Sequence, residues 1–533
     1  MFGIRILTVF CLIAIGPSLR AELPTGYFVW SQGESLRPET RKIYRMTLPE
    51  KTDVRVLTSG TPGADIEGQI SPDGKWVAFA KAKLPDSTYH MTKMWKIYVV
   101  SIHGIGDGRE ENKIDDNGYW PSWGADGELY YSQVDDDGSG SEHTRIMRVT
   151  LDDYGFVQEK VEIFSTREHF PNFIDMNECY MAPGADWFAA RIRGEESESG
   201  VGAISLHPPE FHLLAKAGSV GCMPIVAPSG TWGLIAGRDK GIRWGDAPGI
   251  PDRLEDEMLI PPRSDGDLCY HPGISTDEQW VLAAHSTESN HDSGPYDVYI
   301  YKLTGKTVDE GQVLAEGGFN GWPHVWVGEP SDPPPPKPHV DSFMPDSWTL
   351  TAGDTVELSW QTSFADEITL DGQSVDPDGN ATFSPSATTS FRLVASSTEV
   401  TETDEASVEI TVNDSDLPVV IESFELVPDS IELGESALLS WSVQNPHTLN
   451  VNGNPVTPEG SMEVSPVTTT DYVLTATGHQ GPVTATVTLT VEELKQGLED
   501  RGGCFCGSMA PGGTTLFGLG LIWLFMKRRR QSS

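Results

Sequence analysis

Six residues recur at equivalent places in the first 330 positions and carry groups that could work together in a concave site: Glu67, Trp120, Glu178, Met223, His271 and Trp322. The first five each stand nine residues ahead of a large apolar residue that follows a turn, namely Trp76, Leu129, Trp187, Trp232 and Trp280. Trp322 joins them because Trp120-Pro121 matches Trp322-Pro323. Indole faces stack on sugar rings or cations, and carboxylates bind hydroxyls or metals. Gathered at one mouth, these residues would either form a ligand site or plug a channel.

Other chemistry is sparser. His271, His285, His291 and His324 cluster late in the same region. Asp135, Asp137, Ser139 and Gly140 occupy positions 1, 3, 5 and 6 of a calcium-loop pattern, but position 12 is Ile146 where a carboxylate is required. Calcium at Asp135, Asp137 and Ser139 is therefore a weak candidate beside a plain acidic hairpin loop. No catalytic residue is assigned. There is no G-x-S-x-G elbow and no Walker or dinucleotide glycine motif after a strand. Cys179, Cys222 and Cys269 each precede a turn, and Cys222 and Cys269 fall at nearly equal depth on successive units, a candidate disulfide.

The elements that must position these residues are repeats. "SPDGKW", "GADGEL", "APGADW", "APSGTW" and "STDEQW" recur at intervals of 53, 58, 45 and 48 residues. Each turn is followed by alternating runs such as "KIYVVSI" from Lys96 and "YDVYIYKL" from Tyr296. Periods of this size, with several strands per unit, predict propeller blades. "GYFVWSQG" from Gly26 and "RKIYRMTL" from Arg41 read as later strands of a blade lacking its first. "NGWPHVWVG" from Asn320 reads as the missing first strand. Pairing them closes six blades and removes the exposed sheet edges.

"SPDGKWVAF" resembles the Pro-Asp repeat of TolB-like six-bladed β-propellers over Tyr27 to Val327. That resemblance implies fold more than activity. Some TolB-like propellers are pectate-type lyases, for which the resemblance would imply a His/Gln metal site in the late histidine cluster. Here the closing strand reads His324-Val325-Trp326, without a His-x-His pair.

A stiff proline linker, "SDPPPPKPH", follows the propeller region. Beyond it Ser342-Phe343, Leu358-Ser359-Trp360 and "TTSFRL" from Thr388 recur 81 residues later at Ser423, Leu439 and Thr469. The two units resemble bacterial Ig-like modules without the antibody cysteine pair, so their cores should rest on Trp360 and Trp441. The predicted organisation is all-β: signal peptide 1–21, propeller 22–330, linker 331–339, Ig-like domains 340–413 and 419–492, spacer with a Cys motif 493–507, and hydrophobic tail 508–533.

Both ends concern location. Arg5 precedes a short apolar run, as in an export signal. Cys504 and Cys506 precede an uncharged stretch from Gly507 to Met526 and the cluster Lys527–Arg530. This tripartite tail resembles the MYXO-CTERM class of bacterial sorting signals, which implies processing near the Cys motif and display at the cell surface. A net charge of −41 over 533 residues repels nucleic acid. The sequence thus reads as an exported, surface-anchored binding protein for an extracellular or envelope protein or glycan, held to the membrane by its tail. A polysaccharide-active enzyme working at the propeller mouth, or an envelope scaffold, are the alternatives. No cofactor is implied beyond the weak calcium loop.

Overall fold

A computed structural model describes residues 21–34, 41–60, 63–83, 94–106, 109–124, 126–136, 142–170, 175–181, 187–193, 200–216, 222–236, 241–246, 258–264, 267–287, 295–330, 335–413, 417–478 and 480–492. Six antiparallel sheets succeed one another along the chain to Val327, each with four main strands. In blades two to six the chain runs outward, from innermost to outer strand. The innermost strands are Asp65–Ile70, Tyr119–Trp123, Asp175–Met181, Cys222–Val226 and Leu268–Ile274. Blade one is closed by the two ends: Phe319–Val327 pairs antiparallel with Gly26–Gly33, setting Tyr27 opposite Trp326 and Phe28 opposite Val325. The expected six-bladed ring and its closing strand are therefore present.

Every innermost strand carries the same irregularity. The register to its neighbour shifts across Ile66/Gln69, Tyr119/Ser122, Asn177/Tyr180, Cys222/Ile225 and Tyr270/Gly273, and in blade one between Val29 and Ser31 opposite the Trp322 segment. The skipped pairs are Glu67-Gly68, Trp120-Pro121, Glu178-Cys179, Met223-Pro224, His271-Pro272 and Trp322-Pro323. Proline has no N–H for the ladder, so a bulge is the place a strand tolerates it. Five of the six positions aligned from sequence have positive φ: 61° at Glu67, 55° at Trp120, 56° at Met223, 48° at His271 and 49° at Trp322. Side chains adopt this region rarely and at a cost of about 1–3 kcal/mol each, so the ring of bulges is an enforced feature of the channel.

Two β-sandwiches follow. Each opposes a three-stranded sheet to a five-stranded one in the same order. In the first, Phe343, Leu358 and Trp360 from one sheet meet Ile368, Leu393 and Val408 from the other. Trp360 and Trp441 are buried, as expected, and their indole N–H groups donate to the Asp376 and Thr457 carbonyls at 2.9 and 2.8 Å. No helix among the described residues is long and apolar enough to cross a membrane. The expected signal peptide and the tail with Cys504 and Cys506 lie outside the described residues.

Candidate functional site

Of the two expectations for the aligned residues, a ligand site at the mouth or a plugged channel, the bulge ring does not form an open site around Trp120 and Trp322. Both indoles belong to one apolar cluster and are only 5% and 4% exposed. Glu67, Met223 and His271 are equally buried. Glu67 is already engaged, its carboxylate accepting the Trp120 backbone N–H at 2.9 Å. His271 packs edge-on against Trp322, with ring centroids 4.5 Å apart, and the Arg41 guanidinium lies over Phe319 and Trp322 at 4.3 and 5.1 Å. Trp120 and Trp322 share their cluster with Ile66 and Tyr180, and the described residues at the bulges are buried. The Glu178 side chain lies outside the described residues; its backbone sits in the Asp175–Met181 strand. At this depth the ring is a plug.

The late histidines diverge. His324 accepts the Ile70 N–H on Nδ1 at 3.3 Å, and burial pushes its pKa down to about 4. His285 sits elsewhere in a buried chain: its Nδ1 is 2.9 Å from the Asp267 carboxylate, and its Nε2 is 2.6 Å from the Tyr301 hydroxyl and 3.6 Å from Cys269 Sγ. Cys269, His285 and Asp267 have the order of a nucleophile, a base and its orienting acid. Yet Cys269 is fully buried, and burial, with the Asp267 charge beside it, pushes the thiol well above its usual range. A thiol held neutral and sealed from solvent is not a nucleophile. His291 lies outside the described residues, and no metal-holding group of His, Cys, Asp or Glu occurs among the described ones.

The expected Cys222–Cys269 disulfide is not formed, because Cys269 is a free thiol. Its strand sets it opposite His285, and its sulfur turns to that ring. The Cys222 side chain is outside the described residues, as are Asp137, Ser139 and the Asp135 side chain of the calcium-loop pattern.

An open concavity lies on the face of the ring that carries the turns. A cavity of about 350 Å³ between blades two and three is lined by Trp76, Trp123, Asp73, Asp126, Asp152, Asp153 and Lys75, among others. Three turns of one kind build it. Gly74 N–H donates to the Ser71 carbonyl, Gly127 N–H to Gly124 and Gly155 N–H to Asp152, at 2.9, 3.1 and 3.1 Å. Each ends on a glycine at positive φ, 76°, 85° and 81°. At Gly155 the missing Cβ also matters: it would stand 2.8 Å from the Trp76 ring, so only glycine lets this turn lie against that indole. Three of the carboxylates are held by bonds at or beside their own turns. Asp73 Oδ1 accepts the Ser71 hydroxyl and Lys75 N–H, Asp126 accepts the Glu128 N–H and the Tyr130 hydroxyl, and Asp152 Oδ1 accepts the N–H groups of Tyr154 and Phe156. Trp123 Nε1 donates to the Gln69 carbonyl at 2.9 Å, fixing the second indole across the blade boundary. Asn112 ties blade two to the third turn through the Tyr154 carbonyl at 2.8 Å.

Sequence reasoning missed this site. Trp76 served there as the first core residue of a strand, and Asp152-Asp153 was not singled out. The available signal was the recurrence of aspartate one to three residues before a turn glycine, at Asp73, Asp126 and Asp152.

No family model matches the chain. It is similar to an uncharacterized protein of Ruminiclostridium cellulolyticum, 31% identical over 160 residues, which is 28% of this chain and 42% of the relative. The match thus spans less than half of that protein's length. Among solved structures, TolB from Acinetobacter baumannii is 14% identical with a TM-score of 0.38, over 56% of this chain and 66% of that one. The periplasmic gluconolactonase of Pseudomonas aeruginosa is 11% identical with a TM-score of 0.34, over 72% and 99%. An oligogalacturonate lyase in complex with manganese is 15% identical with a TM-score of 0.33, over 53% and 77%. The propeller assignment rests on this chain's own strand order and closure.

Proposed function

We propose that this is an exported, surface-anchored binding protein whose propeller recognises its partner without catalysis, at the turn-face cavity between blades two and three. The observation that carries the reading is the cavity's construction: two indoles and four carboxylates from two blades line it, and Trp123, Asp73, Asp126 and Asp152 are held by hydrogen bonds before any ligand arrives. Convergent aromatic and polar groups in a preformed concavity are the general signature of a recognition site, and fixing them in advance lowers the entropy cost of binding. The two sandwiches would act as spacers between the propeller and the anchoring tail.

The test is to probe glycan and peptide arrays with the full chain and with Trp123→Ala. The wild type should give at least one signal, and the variant should lose it. An array signal that survives Trp123→Ala unchanged would place recognition elsewhere.

A further inference from the structure

Resting on that reading, we infer that the turn-face cavity takes a cationic nitrogen, an ammonium or guanidinium on a flexible stem, as presented by a lysine or arginine side chain of a partner protein. Three independent features converge on this. The first is the wall chemistry: the indoles of Trp76 and Trp123 line the cavity, and the face of an indole is the preferred aromatic partner of a cation. The second is charge. Asp73, Asp126, Asp152 and Asp153 surround the cavity against one ammonium, Lys75, whose Nζ stands 3.7 Å from Asp73 Oδ2 and whose side chain is 61% exposed. A neutral sugar could donate hydroxyl hydrogen bonds to these carboxylates but would leave their charge uncompensated; a cation offsets it.

The third feature shows the preference at work within the chain. The turn that supplies Asp152 and Asp153 also carries Tyr154, and over the Tyr154 ring lies the ammonium of Lys337, 3.1 Å from its centroid. Lys337 belongs to the proline-rich linker, so the residue that follows the cavity's Asp153 already holds one lysine delivered by the linker. The cavity beside it is of the same character, with two indoles in place of one phenol. Its volume of about 350 Å³ is at the small end of ligand pockets, suited to one side chain rather than to an oligosaccharide.

The experiment is calorimetric titration of the full chain with N-acetyl-arginine methylamide and N-acetyl-lysine methylamide. Agmatine represents a free small amine and cellotetraose a neutral sugar. The expected result is binding of the blocked arginine or lysine that weakens when sodium chloride rises from about 50 to about 500 mM, because exposed carboxylates are screened. Asp153→Asn combined with Asp73→Asn should weaken it about tenfold with an unchanged melting temperature, since both side chains keep their shape and the amide oxygen introduced at position 73 can still accept the turn's hydrogen bonds. Agmatine binding as tightly as the blocked residues would assign the same cation site to a free amine instead of a protein side chain, and so overturn the partner named here. Cellotetraose binding with no response to either blocked residue would overturn the cation and leave the recognition site standing. Array signals indifferent to Trp123→Ala, by contrast, would remove the site itself.

Discussion

Lys81 is the residue whose replacement should damage the propeller most for the fewest atoms removed. Its ammonium stands 3.0 Å from Asp65 Oδ1, 3.0 Å from Glu111 Oε2 and 2.9 Å from the Ser59 hydroxyl. Lys81 and Asp65 are 3% and 0% exposed, so water takes little part. Each of the two ion pairs is worth about 5 kcal/mol of gross attraction at 3 Å and an effective dielectric near 20, most of it offset by the cost of burying the ions. Lys81→Met removes the attraction and keeps the burial, so the net loss should be about 3–5 kcal/mol, the usual cost of stranding a buried charge. For a ring of this size that lowers the melting temperature by about 6–15 °C. The pH dependence supplies the sharper check. Burial raises the Asp65 pKa from 3.8 to about 6 against the pull of Lys81. An acid whose folded pKa is raised binds its proton more tightly when folded, so its ionisation removes stability as pH climbs from about 4 through about 6. Without Lys81 the pKa rises further, and the deficit measured by calorimetry at pH 7.5 should shrink at pH 5. A deficit under about 1 kcal/mol, or one that grows on acidification, would show that the cluster is not held by charge.

Three other outcomes follow from the same structure. A chain ending before Phe319 loses the strand that pairs with Gly26–Gly33, and circular dichroism should show the whole propeller melting earlier as one unit, with retained stability contradicting closure. Cys269 should resist a thiol reagent in the native protein at pH 8 and react only on unfolding; rapid native labelling of that residue would refute the sealed Asp267–His285–Cys269 chain. The Lys113–Glu463 pair links blade two to the second sandwich at 2.8 Å but is 32% and 48% exposed, so Lys113→Ala should shift the melting temperature by no more than about 2 °C.

The fold was legible because propeller repeats write themselves into the chain. One turn signature recurs with each blade, and the two incomplete ends are complementary. Five of the residues aligned as channel positions, Glu67, Trp120, Met223, His271 and Trp322, share a bulged backbone with positive φ that the alignment did not foretell. What the alignment could not supply was exposure. An inward-pointing tryptophan reads alike whether the channel is open or filled, and the packing of His271 on Trp322 and of Arg41 over both Phe319 and Trp322 decides for filled. The turn-face cavity was hidden for another reason. Its walls come from Trp76, Trp123 and the Asp152–Gly155 turn, which are remote along the chain and meet only because blade three curls against blade two. The Cys222–Cys269 expectation failed on side-chain direction, since equal depth on successive strands does not fix which way a thiol points.

Under the proposed function recognition belongs to the turn face, and the channel residues hold the ring together. Trp120 and Trp123 lie three residues apart on one strand and divide between these roles, so melting temperature and binding of N-acetyl-arginine methylamide should be measured side by side on Trp120→Ala and Trp123→Ala. Trp120→Ala leaves a cavity in the apolar cluster and should cost about 3–5 kcal/mol, a drop of about 6–15 °C, with binding retained in the molecules still folded. Trp123→Ala, at the half-buried wall of the cavity, should weaken binding about tenfold with a smaller thermal loss. Binding that survives Trp123→Ala but disappears in folded Trp120→Ala would contradict the account and return the site to the channel.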